Sequence, residues 1–102
     1  MNSNNISAAE FIERISNGEK LNLLDVREPI EYHSFNLGGE NIPLGKLPDA
    51  LPLDDIDTDD EIIMICKAGL RSGTAQSILQ QNGYTNVRNL TGGLLAVQKL
   101  KQ

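Results

Sequence analysis

The sequence predicts an α/β protein, and three observations carry that prediction. Short, nearly continuous apolar runs alternate with stretches of helical periodicity, and charged or glycine-containing segments separate them. A length of 102 residues with 39% hydrophobic content supports one core but not two. Strands alternating with helices imply right-handed βαβ units, and so a parallel sheet with helices on both faces. Residues 1–102 are read as a single domain with no internal repeat and no linker.

The first element is the stretch "SAAEFIERISNG", where Ser7 is followed three residues later by Glu10 in a capping-box pattern. Ala8, Phe11, Ile12 and Ile15 recur at helical spacing and Gly18 supplies a stop. "KLNLLDV" at 20–26 and "EIIMIC" at 61–66 are apolar runs bounded by charge, as expected of strands buried on both faces. Between them Pro43, Pro48 and Pro52 leave room for at most a strand and short helical turns, and His33 is read as a surface loop residue. "SGTAQSILQQNG" places Ala75, Ile78 and Leu79 on one face, so a second helix starts near Ser72 and ends at Asn82 and Gly83. "NVRNL" fits a short strand and "LLAVQKLK" a final helix.

Composition removes several function classes. Nine basic against fourteen acidic residues give a net charge of −5, which disfavours nucleic acid and anionic membranes as partners. One cysteine and one histidine can form neither an internal disulfide nor a zinc site from this chain alone. No apolar run is long enough to span a bilayer, and "MNSNNISAAE" lacks the basic and apolar regions of a secretory leader, so the expected compartment is the cytoplasm. The run "DDIDTDDE" has Asp55, Asp57 and Asp59 at calcium-loop spacing. Asp60 stands where the sharp-turn glycine is needed and Cys66 where the bidentate glutamate belongs, so the run reads as a solvated approach to a buried strand.

Cys66 is the residue that invites chemistry. In parallel sheets ligands bind beyond the carboxyl ends of the strands, where loops lead into helix N-termini, and Cys66 ends such a strand. The following "KAGLR" is short, and Ala68 and Gly69 leave backbone amides open to an anion. A free thiol with a pKa of about 8.5 is only about 10% ionised at pH 7.5. A helix N-terminus lowers that value by roughly one unit at best. Lys67, Arg71 and direct amide hydrogen bonds must supply the rest against the cost of burial. Asp25 and Arg27 in "DVRE" are read as an ion pair at a strand end that holds the neighbouring loop.

These segments together resemble a single-domain rhodanese-like sulfurtransferase over nearly the whole chain. "LLDVREPIEY", "NIPL", "CKAGLRS", "NGY" followed by Val87 and Leu90, and "GGL" are similar to that family's landmarks in order and spacing. The resemblance implies about five parallel strands and a cysteine, Cys66, that takes a sulfur atom from a donor such as thiosulfate and holds it as a persulfide. The backbone of Lys67, Ala68, Gly69, Leu70 and Arg71 would cradle the persulfide and a small anionic donor. Arg71 and Lys67 would face the donor's oxygens, with Asp25, Arg27 and Ser72 supporting the site. Cyanide, a thiol or a protein thiol would accept the sulfur, and the chemistry calls for no metal or organic cofactor.

Two positions depart from the family pattern: Asn36 stands where a histidine is common, and Val97 where a tryptophan is common. The alternatives are a sulfur-carrying or docking module without efficient turnover, and a cysteine-dependent phosphatase. Phosphatases place five residues between cysteine and arginine, whereas Lys67, Ala68, Gly69 and Leu70 are the only four here, a loop sized for one sulfur atom.

Overall fold

A computed structural model describes residues 4–101. The first three residues and the last, to which the single-domain reading extends, lie outside the described residues. The elements in chain order are β1 (Asn5–Ile6), α1 (Ala8–Ser16), β2 (Leu23–Asp25), α2 (Pro29–Ser34), β3 (Glu40–Asn41), the 3-10 turns Leu44–Lys46 and Pro48–Ala50, β4 (Ile62–Ile65), α3 (Leu70–Gln81), β5 (Val87–Leu90) and α4 (Gly93–Leu100). The five strands form one sheet in the order β1, β5, β4, β2, β3, and every pairing is parallel. The α/β expectation therefore holds, with β4 at the centre. No helix among the described residues is long and apolar enough to cross a membrane.

Strand alternation sorts the core into two layers. Ile62 and Met64 of β4, and Cys66 beyond its end, face a cluster with Leu24, Val26, Ala75 and Leu79 beneath α3. Ile63 and Ile65 face the other way, onto Ile6, Phe11, Leu90, Leu94 and Val97 beneath α1 and α4. All four β4 residues are fully buried, so this strand reads as an unbroken apolar run. Val97 is buried in the second layer. It also lines an apolar groove of about 330 Å³, shared with Phe11, Ile15 and Phe35, on the α1–α4 side.

Local chemistry sets the element ends. The Ser7 hydroxyl accepts the Glu10 amide at 3.0 Å, which starts α1. Glu10 sends its carboxylate to Arg88 of β5 at 3.1 Å. Two sequence expectations need correction, and one strand carries no signal in the pattern. His33 lies within α2, a six-residue helix whose Glu31 carboxylate accepts the Glu28 amide at its start. The two-residue strand β1 was not expected from pattern and is defined by its pairing with β5. Helix α3 begins at Leu70 rather than near Ser72, because Gly69 caps it in the left-handed region at φ 99°, which glycine adopts without strain.

Candidate active site

The early start of α3 shortens the loop after β4 to Cys66, Lys67, Ala68 and Gly69. Leu70 and Arg71 then occupy the first helical turn, and the helix aims its free amides back at the end of β4. Cys66 sits there, 1% exposed. The Gly69 amide donates to Cys66 Sγ at 3.0 Å, and the Ser72 hydroxyl lies 3.2 Å from the same sulfur. Burial pushes the Cys66 thiol up. Hydrogen bonds to the anion, from the Ser72 hydroxyl when it turns to the sulfur and from the Ser72, Gly69 and Ala68 amides, outweigh that push, and the thiol stands below its ordinary value.

The loop is clasped from its far side by α4. The Leu94 amide donates to the Cys66 carbonyl at 3.0 Å and the Leu95 amide to the Lys67 carbonyl at 3.1 Å. Such close approach requires a glycine at 93. A Cβ there would stand 2.4 Å from the Cys66 carbonyl oxygen and 2.5 Å from that of Lys67, on a backbone with φ 60°. Sequence reasoning treats the glycine pair at 92 and 93 only as the opening of a helix. In the structure Gly93 determines where the sulfur-bearing loop can sit.

Asp25 and Arg27 form a buried ion pair at the end of β2, with Arg27 Nη2 at 2.8 Å from Asp25 Oδ2. Arg27 also donates to the carbonyls of Glu31 and Phe35, so it fixes α2 to the end of the sheet. Removing one partner of such a pair strands a buried charge, a loss of about 3–5 kcal/mol. Asn36 continues this support, donating to the Tyr32 carbonyl and accepting the Gly38 amide.

Arg71 is held by a partner the sequence does not reveal. Its guanidinium meets Glu31 of α2 fork to fork, at 2.7 Å and 3.0 Å. The Arg71 hydrogen bonds, acting against partial burial, hold the Glu31 carboxyl down at about 2. Lys67 lines a shallow groove of about 300 Å³ with Glu31, Phe35 and Leu95. Leu70, the first residue of α3, is 84% exposed, and Ile30, beside Glu31, is 77% exposed. The sulfur itself is thus nearly closed to solvent, with the Lys67 groove beside its loop and exposed apolar residues at the starts of α2 and α3.

A further residue completes the lining. Asn89 of β5 accepts from the Ser72 hydroxyl at 2.5 Å and donates from Nδ2 to the Gly69 carbonyl at 3.1 Å. Its signal in the sequence is a polar residue within a strand otherwise flanked by Val87 and Leu90. At the opposite end of β4 from Cys66, Asp57, Asp59 and Asp60 gather their carboxylates, and Asp60 accepts the Asp57 amide at 2.8 Å in an exposed turn.

Comparison with known proteins places this geometry among relatives. The family model of the Rhodanese-like domain matches residues 7–100. The thiosulfate sulfurtransferase PspE of Escherichia coli K12 is 38% identical over 81 residues, covering 76% of this chain and 77% of that protein. A sulfurtransferase of Allochromatium vinosum is 32% identical over 102 residues, covering 91% of this chain and 86% of that protein. The crystal structure of SSP1007 from Staphylococcus saprophyticus superposes with a TM-score of 0.79 at 33% identity, covering 91% of each chain. The chain spans between 48% and 60% of the length of the first curated relatives it matches.

Proposed function

Because the chain belongs to the Rhodanese-like domain family, we propose that it is a sulfurtransferase that moves a sulfane sulfur through a persulfide on Cys66, with thiosulfate as a competent donor. The observation that carries this reading is the sulfur at the end of β4 with the Gly69 amide 3.0 Å away and the first turn of α3 above it. Amides fixed before the reaction stabilise a sulfur anion without rearranging during it.

The atoms balance in two displacements. The Cys66 thiolate attacks the sulfane sulfur of thiosulfate, a new S–S bond forms, and sulfite leaves with the electron pair of the broken one. The outer sulfur of the persulfide then goes to cyanide, which leaves as thiocyanate, or to a thiol, and the Cys66 thiolate is regenerated. Donor and acceptor use one sulfur in sequence, so turnover follows ping-pong kinetics. With Cys66 the only cysteine, release goes to an external acceptor. Incubation with thiosulfate followed by intact-mass analysis tests the reading: the protein gains one sulfur atom and loses it to cyanide. An unchanged mass with thiosulfate and with small organic persulfides would overturn it. A stable adduct that no acceptor removes would assign carriage rather than turnover.

The Glu31–Arg71 pair yields a second expected result. A thiosulfate dianion must share Arg71 with Glu31, whose side chain is about one-third exposed. Exposed pairs of this kind contribute up to about 1 kcal/mol. Glu31→Gln therefore lowers the KM for thiosulfate by up to about fivefold with little change in kcat, and Arg71→Ala raises it. An unchanged KM in both variants would place Arg71 outside the donor's reach.

A further inference from the structure

Four hydrogen bonds close a ring around the sulfur. Gly69 N–H points to Cys66 Sγ at 3.0 Å, Cys66 Sγ meets Ser72 Oγ at 3.2 Å, Ser72 Oγ meets Asn89 Oδ1, and Asn89 Nδ2 reaches the Gly69 carbonyl at 3.1 Å. The direction of each bond follows from valence. A carbonyl only accepts, so the amide nitrogen of Asn89 faces Gly69 and its oxygen faces Ser72. That oxygen also only accepts, so the single proton of the Ser72 hydroxyl goes to Asn89. The contact between Ser72 and Cys66 is then an S–H donating to Oγ, and the ring as drawn is that of a neutral thiol.

An anionic sulfur cannot keep this arrangement. Once Cys66 loses its proton, Ser72 either stays on Asn89 and gives the sulfur nothing, or turns to the sulfur and leaves Asn89 Oδ1 without its donor. We propose that Asn89 is a positioning residue of this site, one that holds the Ser72 proton while Cys66 is a thiol and yields it when the sulfur becomes an anion. Ionisation of Cys66 therefore costs one hydrogen bond at Asn89, and the resting thiol is kept protonated more than the amides alone would keep it. The amides of Gly69 and the α3 start favour the anion, and Asn89 opposes them through Ser72. The site then gains its full anion stabilisation only after the hydroxyl has turned.

The charged groups about the sulfur are Lys67 and Arg71 from the loop and α3, Glu31 from α2, and the Asp25–Arg27 pair at the end of β2. None belongs to the ring, and changing Asn89 leaves all five in place. The Gly69 carbonyl also accepts the Gly73 amide at 3.2 Å, so it retains a partner when the Asn89 side chain is shortened.

This inference rests on Cys66 being the reacting sulfur, yet its test reads only the Cys66 proton. The measurement is the pH profile of iodoacetamide alkylation in the full chain. Asn89→Val suits a strand position and removes the competing acceptor, so the apparent Cys66 pKa falls and alkylation on the acidic limb quickens between about twofold and tenfold. Asn89→Asp keeps an acceptor, binds the Ser72 proton more firmly and adds negative charge, and the apparent pKa rises. In a Ser72→Ala background Asn89→Val has no effect, because there is no hydroxyl to redirect. Should Asn89→Val fold poorly, Asn89→Ala reads the same quantity. A rise or no change in the apparent pKa on removing the acceptor, or a fall that persists unaltered without the Ser72 hydroxyl, would overturn the proposal. Thiosulfate loading is measured separately, so a failure of sulfur transfer is distinguishable from a failure of this relay.

Discussion

Cys66→Ser takes up no sulfur from thiosulfate, and its turnover with cyanide falls on the order of 10³-fold or more. The substituted oxygen occupies nearly the same volume at a position 1% exposed, so the fold is retained and the loss is chemical. An alcohol at this site stays protonated at neutral pH despite the Gly69 amide, and its oxygen is a poor nucleophile toward divalent sulfur. The native protein supplies the matching positive result. Its alkylation rate rises with pH and levels off through a pKa below the ordinary thiol value of about 8.5, because hydrogen bonds favour the thiolate more than burial disfavours it. Below that pKa the rate falls tenfold per pH unit. A profile centred at 8.5 or higher, or an adduct on Cys66→Ser, would remove Cys66 from the role assigned to it.

Gly93→Ala has the second large effect, and it acts on folding and site together. The added Cβ meets two carbonyl oxygens at 2.4 Å and 2.5 Å, and backbone rather than flexible side chain is what must move. The left-handed backbone costs an alanine roughly 1–2 kcal/mol. Losing the Leu94 and Leu95 amide bonds to the loop adds about 0.5–1.5 kcal/mol each. The sum, about 2–5 kcal/mol, is a large part of a typical stability of about 5–15 kcal/mol. Thermal unfolding shows it as a fall in Tm of about 10 °C or more. The loop freed from α4 no longer holds its amide on the sulfur, so the alkylation pKa rises toward the ordinary thiol value. Gly45→Ala is the control, since a Cβ there meets nothing within 4 Å. Equal Tm values for the two variants would show that α4 does not hold the loop.

Sequence pattern exposed the parts of this protein whose causes are local. Cys66 at the end of "EIIMIC" was legible because a strand buried on both faces admits no polar interruption, and β4 is such a strand. The start of α1 was legible because Ser7 and Glu10 act across a single turn. What escaped pattern was set by sheet order. Arg71 and Glu31 are 40 residues apart and meet only because β4 and β2 are neighbours. Asn89 reaches Ser72 because β5 lies on the other side of β4. Strand β1 has two residues, too few for any period, and its pairing with β5 alone defines it. The start of α3 also escapes pattern, because the left-handed backbone of Gly69, not any side-chain cap, lets the helix begin at once.

The clasp of α4 on the loop also orders events during synthesis. Cys66 and Lys67 leave the ribosome before Leu94 and Leu95, whose amides fasten their carbonyls. At about 5–20 residues per second the interval is roughly 1–6 s. For most of it the nascent chain carries its thiol beyond a strand that lacks β5 beside it, and to its end the α4 clasp is missing. Until then no α4 amide holds the carbonyls of Cys66 and Lys67, and the loop that brings the Gly69 amide to the sulfur is unfastened on that side. The anion-stabilising arrangement at the sulfur is therefore completed by a segment made about 28 residues after the cysteine it serves.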